Sequence, residues 1–239
     1  MGKVLKDLVE KDNELELVAG VSRSAKNDDT DGCVHLFNDF NSVNVNVDAI
    51  IDFSNHLATN DLISFALKNN IKLVIATTGH TDEEKKTILD ASKKIPIFFA
   101  ANYSVGVAVL IEEAKRIANV FKNADIEIVE THHNRKIDAP SGTALKIAEG
   151  LKEIRTDANI VCGRFGNKKR EKTDIGVQSV RLGNVVGIHE VMISTEHECI
   201  SIKHEAYDRG LFAEGAINAT KFIKDKNAGL YNMNDLLKS

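Results

Sequence analysis

The sequence predicts an α/β protein: a parallel, helix-covered sheet followed by a second α+β domain with a mixed or antiparallel sheet. Three observations predict it. Short apolar runs alternate with amphipathic helical segments over the first hundred residues, valine-, isoleucine- and threonine-rich runs dominate after Gly176, and a last helical segment closes the chain. Near-continuous apolar strands separated by helices imply a parallel sheet buried on both faces, the Rossmann-type plan.

In order, a helix is expected from Gly2 to about Lys11, carrying Val4, Leu5, Leu8 and Val9 on its apolar face. Strands are expected at "LELVAGV" (Leu15 to Val21), "VDAIIDF" (Val47 to Phe53), "IKLVIATT" (Ile71 to Thr78) and "IPIFFAAN" (Ile95 to Asn102). Between them lie "LATNDLISFALKNN", with Leu62, Phe65 and Ala66 at helical spacing, and "TDEEKKTILDASKK", opened by a Thr81 to Glu84 capping box. A long helix follows from Ser104 to Phe121, then a strand, "DIEIVET". The run from Gly176 reads as an antiparallel meander with turns at Gly183-Asn184 and Glu196 to Glu198, and "LFAEGAINATKFIKD" reads as the final helix. The expected domains are residues 1–103 completed by 211–239, for nucleotide binding, and 104–210, for substrate binding and oligomerisation.

Composition narrows the function. With 31 basic and 35 acidic residues the formal charge is −4, which favours neither nucleic acid nor an anionic membrane as partner. No apolar run approaches the roughly 20 residues needed to span a bilayer, and no signal peptide is evident, so a cytoplasmic location is expected. Cys33, Cys162 and Cys199 are odd in number and lack metal-ligand spacing, and they read as reduced packing residues. The charge-dense "GNKKREKTD" (Gly166 to Asp174) reads as a solvated connection, with a mobile lid as the functional alternative.

The chemistry concentrates in "THHNRKIDAPSGTAL", Thr131 to Leu145. His132 and His133 stand at the C-terminal end of a strand, where open α/β sheets place ligands, and Lys136 follows within one loop. Histidine exchanges protons near neutrality, and lysine supplies a proton or holds a carboxylate as a point charge. Pro140 stiffens the approach to a helix whose N-cap is Ser141, and Gly142 and Thr143 occupy its first turn, where backbone N–H groups receive anions. The loop thus offers a proton relay beside a carboxylate cradle. No metal is expected, because adjacent strand residues diverge and no cysteine or third histidine lies nearby in sequence. "HEVMISTEHE", with His189, Glu190 and His197, lacks H-E-x-x-H spacing and reads as sheet surface.

"EIVETHHNRKIDAPSGTA", Glu127 to Ala144, closely resembles the signature of the dihydrodipicolinate reductase family of bacterial diaminopimelate and lysine synthesis. "VIATTG", "FFAANYSVGV", "CGRFGNKKREKTDIGVQSVRLGNVVGIHEV", "FAEGAI" and "GLYNMNDLL" agree in order, so the resemblance covers essentially the whole chain. It implies His132 as acid/base residue, Lys136 as proton donor, and His133, Gly142 and Thr143 as binders of substrate carboxylates, with Lys136 and Ser141 sharing that cradle. It also implies reduction of the dihydrodipicolinate derived from hydroxy-tetrahydrodipicolinate by NADPH or NADH, and a homotetramer. Hydride delivery builds electron density on the ring, so a nearby protonated group must quench it.

For the cofactor, the resemblance implies Ala76, Thr77 and Thr78, then Ala100, Ala101, Asn102 and Tyr103, on the nicotinamide side. After the Leu15 to Val21 run, Ser22 and Arg23 stand where an acid normally grips the ribose hydroxyls, which tilts the expectation toward NADPH. The family opens with a strand and a glycine-rich turn ending in Gly-Arg-Met-Gly, whereas Met1-Gly2 runs directly into a helix. The expectation is a start upstream of Met1 rather than a truncated variant with impaired cofactor binding. The competing functions are a catalytically silent ligand-binding or regulatory relative and another two-domain reductase sharing only the nucleotide-binding plan.

Overall fold

The computed structural model describes residues 1–26, 29–32 and 34–239. Helix α1 (Gly2–Val9) leads into strands β1 (Ala19–Val21), β2 (Asp29–Asp31), β3 (Val34–Phe37) and β4 (Ala49–Asp52). Then α2 (Thr59–Asn69), β5 (Lys72–Ile75), α3 (Asp82–Ser92) and β6 (Pro96–Phe99) alternate. After them come α4 (Val105–Val120), β7 (Asp125–His132), α5 (Gly142–Ile154) and β8 (Asn159–Cys162). The chain continues through β9 (Asp174–Arg181), β10 (Gly187–Ser194), β11 (Cys199–Ala206), α6 (Gly210–Ile223), β12 (Gly229–Tyr231) and α7 (Met233–Leu237). These divide into two compact units, Met1–Tyr103 with Gly210–Ser239, and Ser104–Arg209.

In the first unit, β12, β6, β5 and β4 form a parallel sheet in that order. Alternation sets its two faces. Leu73, Ile75 and Ile97 point into a core with Leu62, Ile63 and Ala66 of α2 and Ile88 and Ala91 of α3. The opposite-facing Phe98 meets Phe222 of α6 edge-on, ring centroids 6.0 Å apart. The capping box legible in the sequence is in place, and the structure adds a second cap. Thr81 Oγ1 accepts the Glu84 N–H at 3.2 Å while Glu84 accepts the Thr81 N–H at 2.7 Å, and Ser104 caps α4 by accepting the Val107 N–H.

Several expectations need correction. The ladders are shorter than the apolar runs, because residues such as Ile71 and Ile95, 3% and 2% exposed, enter the core just before β5 and β6 without pairing in the sheet. β1 pairs parallel with β3, and β2 antiparallel with β3, in a separate three-stranded sheet, so the strands of this unit make two sheets rather than one. β2, β3, β8 and β12 are short strands that periodicity does not reveal. Cys162 and Cys199 are exposed at strand ends rather than packed in a core, and Cys33 lies outside the described residues.

In the second unit the sheet order is β11-β10-β7-β9-β8. It is mixed: β7, β9 and β8 run parallel, while β10 is antiparallel to both β7 and β11. Gly183-Asn184 therefore turns the chain between β9 and β10 without making a hairpin, because β7 lies between those strands. Leu110 and Ala114 of α4 and Ala144, Ile147 and Leu151 of α5 pack on Ile126, Ile128, Ile175, Val177, Val191 and Ile193, which places both helices on one sheet face. The "GNKKREKTD" segment is pinned at its C-terminal end: Arg170 donates to the Asp125 carboxylate and to the Asp174 carbonyl, and Asp174 accepts the Glu171 N–H.

Candidate active site

β7 alternates, so Ile126, Ile128, Glu130 and His132 share the face that looks toward α5. The apolar pair fills the core, and the polar pair lies where the strand leaves it. His132 Nδ1 lies 2.5 Å from Glu130 Oε2. From β9, paired in register with His132, Arg181 donates from Nη1 to Glu130 Oε2 and from Nη2 to Oε1, each at 3.0 Å. The Ser141 N–H donates to Oε1 at 3.1 Å. Burial alone would push the Glu130 carboxyl up, but hydrogen bonds from Arg181, His132 and Ser179 outweigh it and hold it below the usual carboxylate range.

Ser141 caps α5 by accepting the Ala144 N–H at 3.2 Å, and the same hydroxyl pairs with His189 Nε2 at 3.2 Å. His189 is a correction to the sequence reading: on β10, facing the core, it is 4% exposed rather than sheet surface. Its burial, reinforced by nearby His132, pushes it down to about 4. It meets His132 edge-on with ring centroids 5.2 Å apart. Of its neighbours in the same segment, Glu190 is half-buried and His197 lies exposed in the turn before β11.

His133 and Lys136 occupy the loop between β7 and α5. Lys136 Nζ rests 2.9 Å from Asp138, whose carboxyl this contact holds low. Burial first, then the charges of Arg135, His132, Lys136 and Arg209, push His133 down. Arg209, just ahead of α6, carries no local motif and escapes sequence reasoning. Gly142 is exposed at the first turn of α5, where a Cβ would meet nothing within 4 Å. Among the predicted residues of this loop, His132, His133, Lys136, Ser141, Gly142 and Thr143 all fall between the end of β7 and the first turn of α5. Ser141, 2% exposed, is engaged by the cap and His189. Glu130 and Arg181 were missed; the usable signal was the E-x-H spacing, which puts both side chains on one face of a strand.

The other predicted residues lie at strand ends of the first unit. Ala76 and Thr77 follow β5, with the Ala76 N–H donating to the Asp52 carbonyl at 2.8 Å. Thr78 is exposed, and Gly79 adopts φ 86°, a backbone region glycine enters without strain. After β6, Ala100 is buried, Ala101 exposed and Asn102 half-buried. Tyr103 is 2% exposed, and its hydroxyl donates to the Ile75 and Phe98 carbonyls at 3.0 and 3.1 Å, so its ring is a core anchor. Ser22 and Arg23 are exposed beyond β1. Among the described residues, no group of three or more His, Cys, Asp or Glu side chains is arranged to hold a metal ion.

A helix-covered parallel sheet joined in one chain to a mixed sheet that presents a histidine-lysine loop defines a two-unit α/β protein. Family models described as "Dihydrodipicolinate reductase, N-terminus" and "Dihydrodipicolinate reductase, C-terminus" match residues 1–103 and 106–237. The 4-hydroxy-tetrahydrodipicolinate reductase of Caldanaerobacter subterraneus subsp. tengcongensis is 43% identical over all of this chain and 94% of its own length. That of Clostridium tetani is 39% identical over 100% of this chain and 93% of its own length. A dipicolinate-bound dihydrodipicolinate reductase from Paenisporosarcina sp. TG-14 superimposes with a TM-score of 0.83 at 25% identity, covering 98% of this chain and 94% of that one. The chain belongs to the dihydrodipicolinate reductase family. It is an oxidoreductase of lysine and diaminopimelate biosynthesis, in a family that works with a nicotinamide cofactor, and this membership disfavours the silent ligand-binding relative.

Proposed function

We propose that the chain reduces the dihydrodipicolinate formed from 4-hydroxy-tetrahydrodipicolinate to tetrahydrodipicolinate, with His132 as the acid/base residue and Lys136 as the proton donor. The observation that carries this reading is the cationic surround of one loop: Arg135, Lys136 and Arg209 act electrostatically on His133. Such a cluster complements a substrate with two carboxylates, whose charge would otherwise be costly to bring out of water. His133 and the first turn of α5 at Gly142 and Thr143 receive the carboxylates, and the exposed Gly142 lets an anion approach the backbone. Ser141 serves this cradle by capping the helix rather than through its hydroxyl, and Lys136 exchanges Asp138 for the substrate.

The strand ends of the first unit fit a nicotinamide. Ala76, Ala100 and Ala101 carry nothing beyond Cβ, so a flat ring can approach the backbone there, flanked by Thr77, Thr78 and Asn102. Tyr103 supports that loop from the core. When bound, the reduced cofactor supplies the hydride. Residues 1–103 with 211–239 form the nucleotide-binding domain on this reading, and 104–210 form the substrate and oligomerisation domain. Exposed Ser22 and Arg23 favour the 2′-phosphate of NADPH over NADH.

The sheet face of the second unit away from α4 and α5 carries Val129, Val180, Ile188 and Met192 among Glu127, Gln178 and Glu190, a mixed apolar and polar surface suited to assembly into a homotetramer. No helix among the described residues is long and apolar enough to cross a membrane. The two exposed, unpaired cysteines fit a reducing cytoplasm. The test is cofactor oxidation with freshly generated dihydrodipicolinate synthase product. H132Q and K136A should each lower kcat on the order of a hundredfold or more, and R23A should lower kcat/KM for NADPH but not NADH. Unaltered kcat in H132Q and K136A sinks the assigned roles, and a wild-type preference for NADH sinks the cofactor assignment.

A further inference from the structure

We propose that Glu130 is the positioning residue of this site: its buried carboxylate holds His132 by Nδ1, takes Arg181 as counter-charge, and ties the ring to the start of α5 through the Ser141 N–H. The inference rests on the reading of His132 as the acid/base group and adds what orients it. An ionised carboxylate offers about four acceptor positions on two oxygens. Here Oε1 accepts from the Ser141 N–H and Arg181 Nη2, Oε2 accepts from Arg181 Nη1 and His132 Nδ1, and the Ser179 side chain adds a further hydrogen bond. The acceptor capacity is therefore filled, and the side chain is 0% exposed. Glu130 has neither room nor surface to touch a substrate, so any effect on the reaction passes through His132.

The bonding also assigns the proton. Glu130 is ionised and accepts only, so the short contact places a hydrogen on His132 Nδ1 and leaves Nε2 as the one ring nitrogen for proton exchange. Arg181 extends the brace: its Nη2 also donates to the Asp138 carbonyl at 2.6 Å, which ties the loop bearing His133 and Lys136 to the same carboxylate. One buried acid thus sets the ring, the loop and the helix start together. A buried ion pair alone would account for Glu130 and Arg181, but it does not require further donors to come from His132 and the N-cap of the helix.

The test combines a mutant cycle with a measurement on the unaltered enzyme. E130Q should lower kcat roughly ten- to a hundredfold, within the range a misplaced proton-transfer group costs, and change KM for the substrate less than about threefold. E130Q combined with H132Q should be no slower than H132Q alone, because both remove the same function. Rate losses that multiply in the double variant overturn the positioning role while leaving His132 as the acid/base residue. An unimpaired H132Q overturns both. Independently of how E130Q folds, 15N chemical shifts of labelled wild-type enzyme, assigned by the resonances lost in H132Q, should show neutral His132 protonated at Nδ1. The Nε2-protonated form overturns the proposal.

Discussion

His189 Nε2 stands 3.2 Å from the Ser141 hydroxyl, and the same hydroxyl receives the Ala144 N–H at the start of α5. One oxygen therefore joins β10 to the start of α5. S141A removes the cap and leaves a buried imidazole nitrogen without its partner. A loss of about 1 to 3 kcal/mol in unfolding free energy is expected. Urea titrations of the two proteins check it, and an unchanged midpoint refutes it.

Burial holds His189 at about 4 against its ordinary 6.5. Between those values the unfolded chain binds a proton that the folded chain refuses. Its stabilising contribution is whole above about pH 6.5 and is lost progressively as pH falls toward 4, a change of about 3 kcal/mol. H189Q has no such group, so its stability should vary less over this window. Parallel pH dependences for wild type and H189Q would show that the imidazole is not kept neutral by the fold.

Gly187 is where β10 approaches the His132 ring, the proposed acid/base group: a Cβ there would sit 3.1 Å from His132 Nε2. G187A should displace the ring by a few tenths of an ångström without disturbing the ladder. A three- to tenfold drop in kcat is expected, roughly in proportion to the cost of misplacing a reacting group. Steady-state kinetics beside a thermal melt separates this from unfolding; full activity would show that His132 Nε2 does not need its present place.

Tyr103 bonds two strand carbonyls from inside the core of the first unit. Y103F keeps the ring and deletes the donor, which should cost about 1 to 2 kcal/mol of stability. Since the ring is buried, KM for the nicotinamide cofactor should change less than about twofold. A large rise in cofactor KM with undiminished stability would place the phenol at the cofactor instead.

What the sequence shows and what it hides follow from the range of the interactions. The Thr81–Glu84 capping box and the Ser141 cap are local, three residues across, and were legible. The crowding of His132, His133 and Lys136 into one loop was legible for the same reason. His189 was not, because its burial depends on which strand β10 pairs with and in what register; Glu130 opposite His189 is a fact of the β7 ladder. Arg181 was hidden likewise, 49 residues from His132 along the chain yet paired with it across the sheet. The second sheet was read as a meander because consecutive strands usually pair, and β7 stands between β9 and β10 instead.

The first unit is built from two stretches of chain, with α6 and β12 returning after the whole of the second unit has been traversed. On the ribosome, the sheet of β4, β5 and β6 emerges early and waits for its β12 edge and the α6 cover of Phe98 until more than a hundred further residues are made. The second unit has no such delay, since all its strands and both its helices lie in one continuous stretch. The order of synthesis thus favours completion of the second unit first, and the first unit is the last to close.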